Sequence, residues 1–183
     1  IISFSSSADI TTPNGTLSTM SSSDNITWTG TFSPTNSTED PSNTLSLATS
    51  YTDTAGNSGP AATTSNYEVE TLAPSVSSFS ISDSQFTIGE TATVTLVFSE
   101  AVISFSSSAD ISAPNGSLST MASSDNITWT GTFTPTNSSE DSSNALSLAT
   151  SYTDTAGNSG PAATTSNYSV DTRAPTLSEV SAV

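Results

Sequence analysis

The chain has 183 residues but no cysteine, no histidine and, among lysines and arginines, one cation, Arg173. Without cysteine there are no disulfides, so stability must come from packing, with bound metal as the remaining aid. The missing histidine, lysine and cysteine remove the usual general base, the Schiff-base amine and the thiolate nucleophile. Paired carboxylates can hydrolyse glycosides, but acidic stretches repeated on short loops without an aromatic-lined cleft suit structure better, and no enzymatic activity is expected. Apolar residues make up only 32% of the chain, and no apolar run reaches membrane length. Neither a leader peptide nor direct membrane insertion is expected, which fits a fragment of a larger exported protein.

What is abundant is acid, serine and threonine. Seventeen aspartates and glutamates give a net charge of −16, a sign that excludes electrostatic capture of nucleic acid or anionic membrane and invites cations. The serine and threonine do not imply disorder, because apolar residues alternate with them over strand-length runs.

The chain is a tandem repeat. Thr52-Asp53-Thr54-Ala55-Gly56-Asn57-Ser58-Gly59 recurs 101 positions on as Thr153-Asp154-Thr155-Ala156-Gly157-Asn158-Ser159-Gly160, and the same offset relates Trp28 to Trp129, Asn14-Gly15 to Asn115-Gly116 and Ala73-Pro74 to Ala174-Pro175. A period near a hundred is one domain per repeat, well above the units of solenoids. Framed on Ala-Pro, residues 73–173 are a complete copy, 1–72 a copy lacking its first two strands, and 174–183 the start of a third.

Within 73–173, Phe79 and Ile81 mark a first strand, and Ala92, Val94, Leu96 and Phe98 alternate with threonines in the clearest half-buried strand. Ile103 and Phe105 alternate next. Pro114-Asn115-Gly116 reads as a tight hairpin turn. Trp129, Gly131 and Phe133 share one face of a strand, with Trp129 expected at the centre of the core. Residues 136–144 read as a polar loop, Leu146, Leu148 and Tyr152 resume period two, and Tyr168 and Val170 mark a last strand. About seven short strands with no long helical run predict an all-β, Greek-key sandwich of immunoglobulin type.

The order Phe-Ser-Glu-Ala-Val (98–102), Ala-Asp-Ile (109–111), Asn-Gly (115–116), Ile-Thr-Trp-Thr (127–130), Phe-Thr-Pro (133–135), Asp-x-Ala-Gly-Asn (154–158) and Val-Asp-Thr-x-Ala-Pro (170–175) resembles the bacterial Ig-like repeats of giant surface adhesins, including those of repeats-in-toxin type. The resemblance spans the whole repeat. It implies an extracellular, cell-surface stalk that carries a distal ligand-binding domain in cell adhesion and biofilm, stiffened by Ca²⁺. Its partners would be neighbouring repeats of the same chain. One departure is Glu70, where the second copy has Asp171.

Only oxygen ligands are available, which favours Ca²⁺ over zinc or copper. In an Ig-like sandwich with 91–98 as strand B and strand F ending at Tyr152, Glu100 and the 154–158 stretch meet at the pole where the domain begins. Glu68 and Glu70 stand just before that beginning. Glu70, Glu100, Asp154 and Asn158, with Glu68, are the expected calcium ligands at the junction; Asp53 and Asn57 are the equivalents in the first copy, and Asp83 and Asp171 fall at the opposite pole. The competing reading is a plain turn, with Asp154 capping amides and Gly157 or Asn158 taking φ > 0. Asp110 and Asp125 are expected to be solvated or backbone-bonded, and Glu140-Asp141 a solvated surface pair.

The favoured function is therefore a stalk module. The alternatives are repeats that themselves bind glycan, ice or another cell, and a filament or sheath subunit that self-associates, its open copy completed by strands donated from another chain.

Overall fold

A computed structural model describes residues 1 and 3–180. The chain divides into two compact units, Ile1–Leu72 and Ala73–Val183. Among the described residues no helix is long and apolar enough to cross a membrane.

The second unit is built from two facing sets of strands. The first is a four-stranded antiparallel sheet in the spatial order Val76–Ile81, Ala92–Phe98, Thr128–Pro135, Gly116–Leu118. Its period-two pattern is the physical cause of its two faces: Ala92, Val94, Leu96 and Phe98 are buried while the threonines between them are not. The opposite set consists of short ladders that follow one another along three stretches of chain. Val102–Ile103 pairs with Thr153–Asp154, and Ile111–Ser112 with Ser147–Leu148. Ser147–Leu148 also pairs with Ala163–Thr164, in line with Glu140–Asn144 on Tyr168–Asp171. Gln85–Phe86 closes this set by running parallel to Tyr168–Asp171. The result is the all-β, Ig-like sandwich expected from the strand pattern, with 92–98 as the longer of the two strands that flank the Gln85–Phe86 pairing in sequence.

Two aromatic groups fill the space between the sheets. At one end Phe86, Phe133 and Tyr168 meet with ring centroids 5.0–5.8 Å apart. At the other Phe98 lies 4.8 Å from Tyr152 and 5.9 Å from Phe105. Trp129 is not the core centre. It is half-buried against Phe105 at 4.9 Å, with its indole N–H unpartnered. The phase of the strand was legible, but Phe133 on the same face is the residue the opposite sheet covers completely.

Three further expectations are corrected. Asn115 does take φ +52°, but it does not turn a hairpin: Ile111–Ser112 and Gly116–Leu118 pair with different partners, so the turn passes from one sheet to the other. Gly116 is needed for close approach, since a Cβ there would lie 2.2 Å from the Phe133 ring. Residues 136–144 are not all loop, because Glu140–Asn144 is a strand whose polar side chains hid a main-chain ladder. Finally, Ile103 and Phe105 do not share a strand: Ile103 is exposed, and a single helical turn, Ser107–Asp110, interrupts the chain after Phe105.

The first unit repeats these pieces from the helical turn onward. Ser6–Asp9 is helical, Ile10–Thr11 pairs with Ser46–Leu47 and this with Ala62–Thr63, Gly15–Leu17 pairs with Phe32–Pro34, and Glu39–Asn43 with Tyr67–Glu70. Nothing in 1–72 corresponds to 76–98. The cost is visible in burial: among the described residues of this unit, Val69 is the only hydrophobic side chain that is fully buried.

Phe133 and its counterpart Phe32 therefore serve as a matched pair. Phe133→Ala should destabilise the second unit by about 3–5 kcal/mol, and Phe32→Ala should cost the first unit clearly less. Urea unfolding followed by Trp129 emission in a Trp28→Phe background, and the converse, reads each unit separately. A loss below about 1 kcal/mol for Phe133→Ala would be that of a surface position and would contradict the packing described.

Candidate functional site

The acidic turn is built by the end of one strand. Thr153–Asp154 pairs with Val102–Ile103, placing Asp154 opposite Val102, and the chain then reverses through Gly157 at φ +94°. Glu100 lies two residues before Val102, and the start of the unit reaches the same end, since Ser99 N–H donates to the Ser75 carbonyl (2.9 Å) and Ser75 N–H to Ser99 Oγ (2.9 Å). The entry of the unit, the connection carrying Glu100 and the Asp154 turn thus gather at one pole.

Asp154 is buried, and its carboxylate is engaged by its own turn. Oδ1 accepts the Ala156 N–H at 2.8 Å and the Asn158 N–H at 2.9 Å, and Oδ2 accepts Asn158 Nδ2 at 2.8 Å. Burial pushes this carboxyl up, but the hydrogen bonds from the Asn158 side chain and from the main chain of Asn158, Ala156 and Gly157 outweigh it and hold the pKa below the ordinary value. Asp53 and Asn57 repeat the arrangement, with contacts of 2.8–2.9 Å, on an exposed turn. There the Asn57 side chain is the leading cause of a lowered Asp53 pKa. The turn is complete as it stands. Rotating the Asn158 amide by half a turn would set its Oδ1 beside Asp154 Oδ2, an all-oxygen pair of the kind Ca²⁺ accepts.

Other candidate ligands bond within their own strands and turns. Glu70 accepts the Leu72 N–H at 2.9 Å and stands opposite Glu39 in its ladder, with Glu68 exposed on the same strand. Asp83 caps its own turn through the Ser84 and Gln85 amides. Asp171 stands opposite Glu140 and accepts the Arg173 N–H. Among the described residues no three acidic side chains come close enough together to hold a metal ion.

Two polar constellations escaped the sequence reading. Asp110 is backbone-bonded as expected, Oδ2 accepting the Ser106 N–H at 2.7 Å, but it is also buried, Oδ1 accepts the Ser151 hydroxyl, and its carbonyl accepts Ala149 N–H. It therefore ties the helical turn to the connection that follows Ser147–Leu148. Asp141 is exposed, as Glu140 is and as expected, and it also accepts Asn115 Nδ2 at 2.9 Å; the same amide donates to Asn144 Oδ1 at 2.7 Å, and Tyr168 donates its hydroxyl to the Pro114 carbonyl at 2.5 Å. The recurrence of each residue 101 positions earlier was the available signal, and the first copy repeats both sets of bonds. Asp125 is backbone-bonded as expected, through Ile127 and Thr128.

This is a module whose polar groups serve its own backbone. The sequence matches the family described as bacterial Ig-like domain over residues 3–69 and again over 70–170, and the chain belongs to that family. Such domains are in general structural rather than catalytic and are typical of the extracellular surface. No curated protein and no solved structure matches the chain.

The buried phenols set an alkaline limit. Burial pushes Tyr152 up to about 12, and burial together with the Asp141 charge does the same for Tyr168, against about 10 in an unfolded chain. Below pH 10 both states hold the proton; between about 10 and 12 the unfolded state sheds it and the folded state does not, so stability is lost as pH rises through that window. Urea unfolding across this range should show a steep alkaline fall that flattens in the Tyr152→Phe/Tyr168→Phe double variant. An equally steep fall in that variant would assign the alkaline loss to other groups.

Proposed function

We propose that the chain is an extender module of a bacterial cell-surface adhesin, whose product is length and stiffness. One observation carries this reading. In the second unit the chain enters at the pole of Ser75 and Ser99 and leaves, through the strand Tyr168–Asp171, at the opposite one, where Asp171 faces Glu140. A module that is entered at one end and left at the other adds its full strand length each time it is repeated, and the repeat is written in the sequence. The family is consistent with a surface role.

Calcium belongs to the same proposal. Glu100 and the Asp154 turn share the entry pole, and Glu68 and Glu70 precede Ala73 by five and three residues in sequence. A cation drawing on Glu70, Glu100, Asp154 and Asn158 would relieve the repulsion among acidic groups in a chain of net charge −16.

Thermal unfolding and small-angle scattering with Ca²⁺ and with chelator test it. Binding to the folded form alone adds about 2.7 kcal/mol at a hundred times Kd, and Glu100→Ala/Asp154→Ala should remove that gain and shorten the maximum dimension. Asp125→Ala should leave the calcium response unchanged. If chelator alters neither melting temperature nor scattering of the unmutated chain, the turn works without metal and the calcium part of the proposal fails.

A further inference from the structure

The loops that lead into Thr27 and Thr128 close in the same way. Asp125 Oδ1 accepts the Ile127 and Thr128 N–H groups and the Ser123 hydroxyl, each at 2.9 Å, and Asp24 Oδ1 repeats these bonds at 2.8–3.0 Å. Among the described residues nothing donates to Oδ2 of either carboxylate. The amides of Thr128 and Ile127, with the Ser123 hydroxyl, hold the Asp125 pKa below the ordinary value, so the group is ionised at neutral pH.

Each loop borders an open cleft. In the second unit a cleft of about 400 Å³ is lined by Ala122, Ser123, Ser124, Asp125, Thr128 and Thr130. In the first, one of about 370 Å³ is lined by the counterparts Ser21, Ser22, Ser23, Thr27 and Thr29. The same cleft in two units whose cores differ is made locally, by the loop and the residues it leads into.

In the second unit the cleft runs onto a face without charge. Thr128, Thr130 and Thr132 stand opposite Val97, Thr95 and Thr93, on the outer side of the sheet, because Val94, Leu96 and Phe133 between them are buried on the inner side. The hydroxyls of Ser107, Ser119, Thr165 and Thr172 each accept a main-chain N–H. Those of the outer-face threonines, among the described residues, bond to nothing in the chain. In a chain of net charge −16, a strand face with no carboxylate and with its hydroxyls unused suits an uncharged partner.

We propose that these clefts are binding sites for a neutral saccharide, one in each repeat. Asp125 Oδ2, and Asp24 Oδ2 in the first unit, accepts a sugar hydroxyl, and the Thr128 and Thr130 hydroxyls exchange bonds with its neighbours on the ring. A chain of sugars continues over Thr95 and Thr132. Other ligand classes lack partners here: the lining has no cation for a phosphate or nucleotide and no ring for an aromatic group. It also has a single carboxylate, whose Oδ1 is already taken, where Ca²⁺ needs six or more oxygens. What remains is an anion beside groups that both donate and accept, the complement of a polyol. With no ring to stack on, one cleft binds weakly, and recurrence in tandem strengthens the hold on a polymer. The inference depends neither on calcium nor on the stalk role.

The test is a titration of the full chain with glucose, galactose, mannose and N-acetylglucosamine, followed by amide chemical shifts. At least one sugar is expected to give saturable shifts confined to 21–29, 122–130 and the adjoining outer face. Asp125→Asn keeps an Oδ1 acceptor for the turn and replaces Oδ2 by an amide that cannot accept. With shifts outside the loop unchanged, it should weaken binding at 122–130 about tenfold and leave binding at 21–29 as it was. Thr130→Val, which suits the strand equally well, should weaken it about fivefold. Glucuronate, a ring with its own carboxylate, should bind less tightly than the neutral sugars at low salt. Saturable shifts with Ca²⁺ but with none of the sugars, undiminished binding by the Asp125→Asn chain, or a preference for glucuronate would each overturn the proposal.

Discussion

The ladder between Ala92–Phe98 and Thr128–Pro135 is the constraint on which the rest of this fold depends. It sets the phase of both strands, so that Val94, Leu96 and Phe133 face inward together and are fully buried. Burial of that face then gives the short ladders opposite something to pack on, since two-residue pairings such as Ile111–Ser112 on Ser147–Leu148 have little stability of their own. The chain supplies its own control. Where the ladder is missing, in 1–72, near-identical residues keep their local turns and their short pairings yet bury almost nothing large.

Polar groups carry the connections that the small apolar fraction cannot. Asp110 and Asp9 each hold a helical turn and a distant serine. Tyr152 and Tyr168 bury their rings and donate their hydroxyls to the carbonyls of Pro161 and Pro114. Each bond satisfies a group that would otherwise be costly to bury. A chain without cysteine and almost without cations is thus stapled by carboxylates, amides and phenols. The same economy explains why the Asp154 turn looks like a ligand set in sequence: the residue types that close a turn on itself are those that would hold Ca²⁺.

A repeat of this kind separates local from global causes. Asn14 and Asn115 take φ of +51° and +52°, and Asp53 and Asp154 make the same three bonds, because turn chemistry acts within a few residues and is indifferent to what lies across the core. Asp154 is buried and Asp53 exposed, because burial depends on chain contributed from elsewhere.

The sequence by itself therefore determined the period of 101, the all-β character, the phase of 92–98 and 128–135, and the turn at 154–158, all written in alternation and local side-chain chemistry. Only the tertiary structure decided that Phe133 rather than Trp129 is the fully buried aromatic of its strand, that Asn115 carries the chain between sheets, that Glu140–Asn144 is a strand and that Asp110 is a buried clamp. Strand partners and burial are set by contacts between residues far apart in the chain, and alternation states which face of a strand is apolar without stating what will cover it.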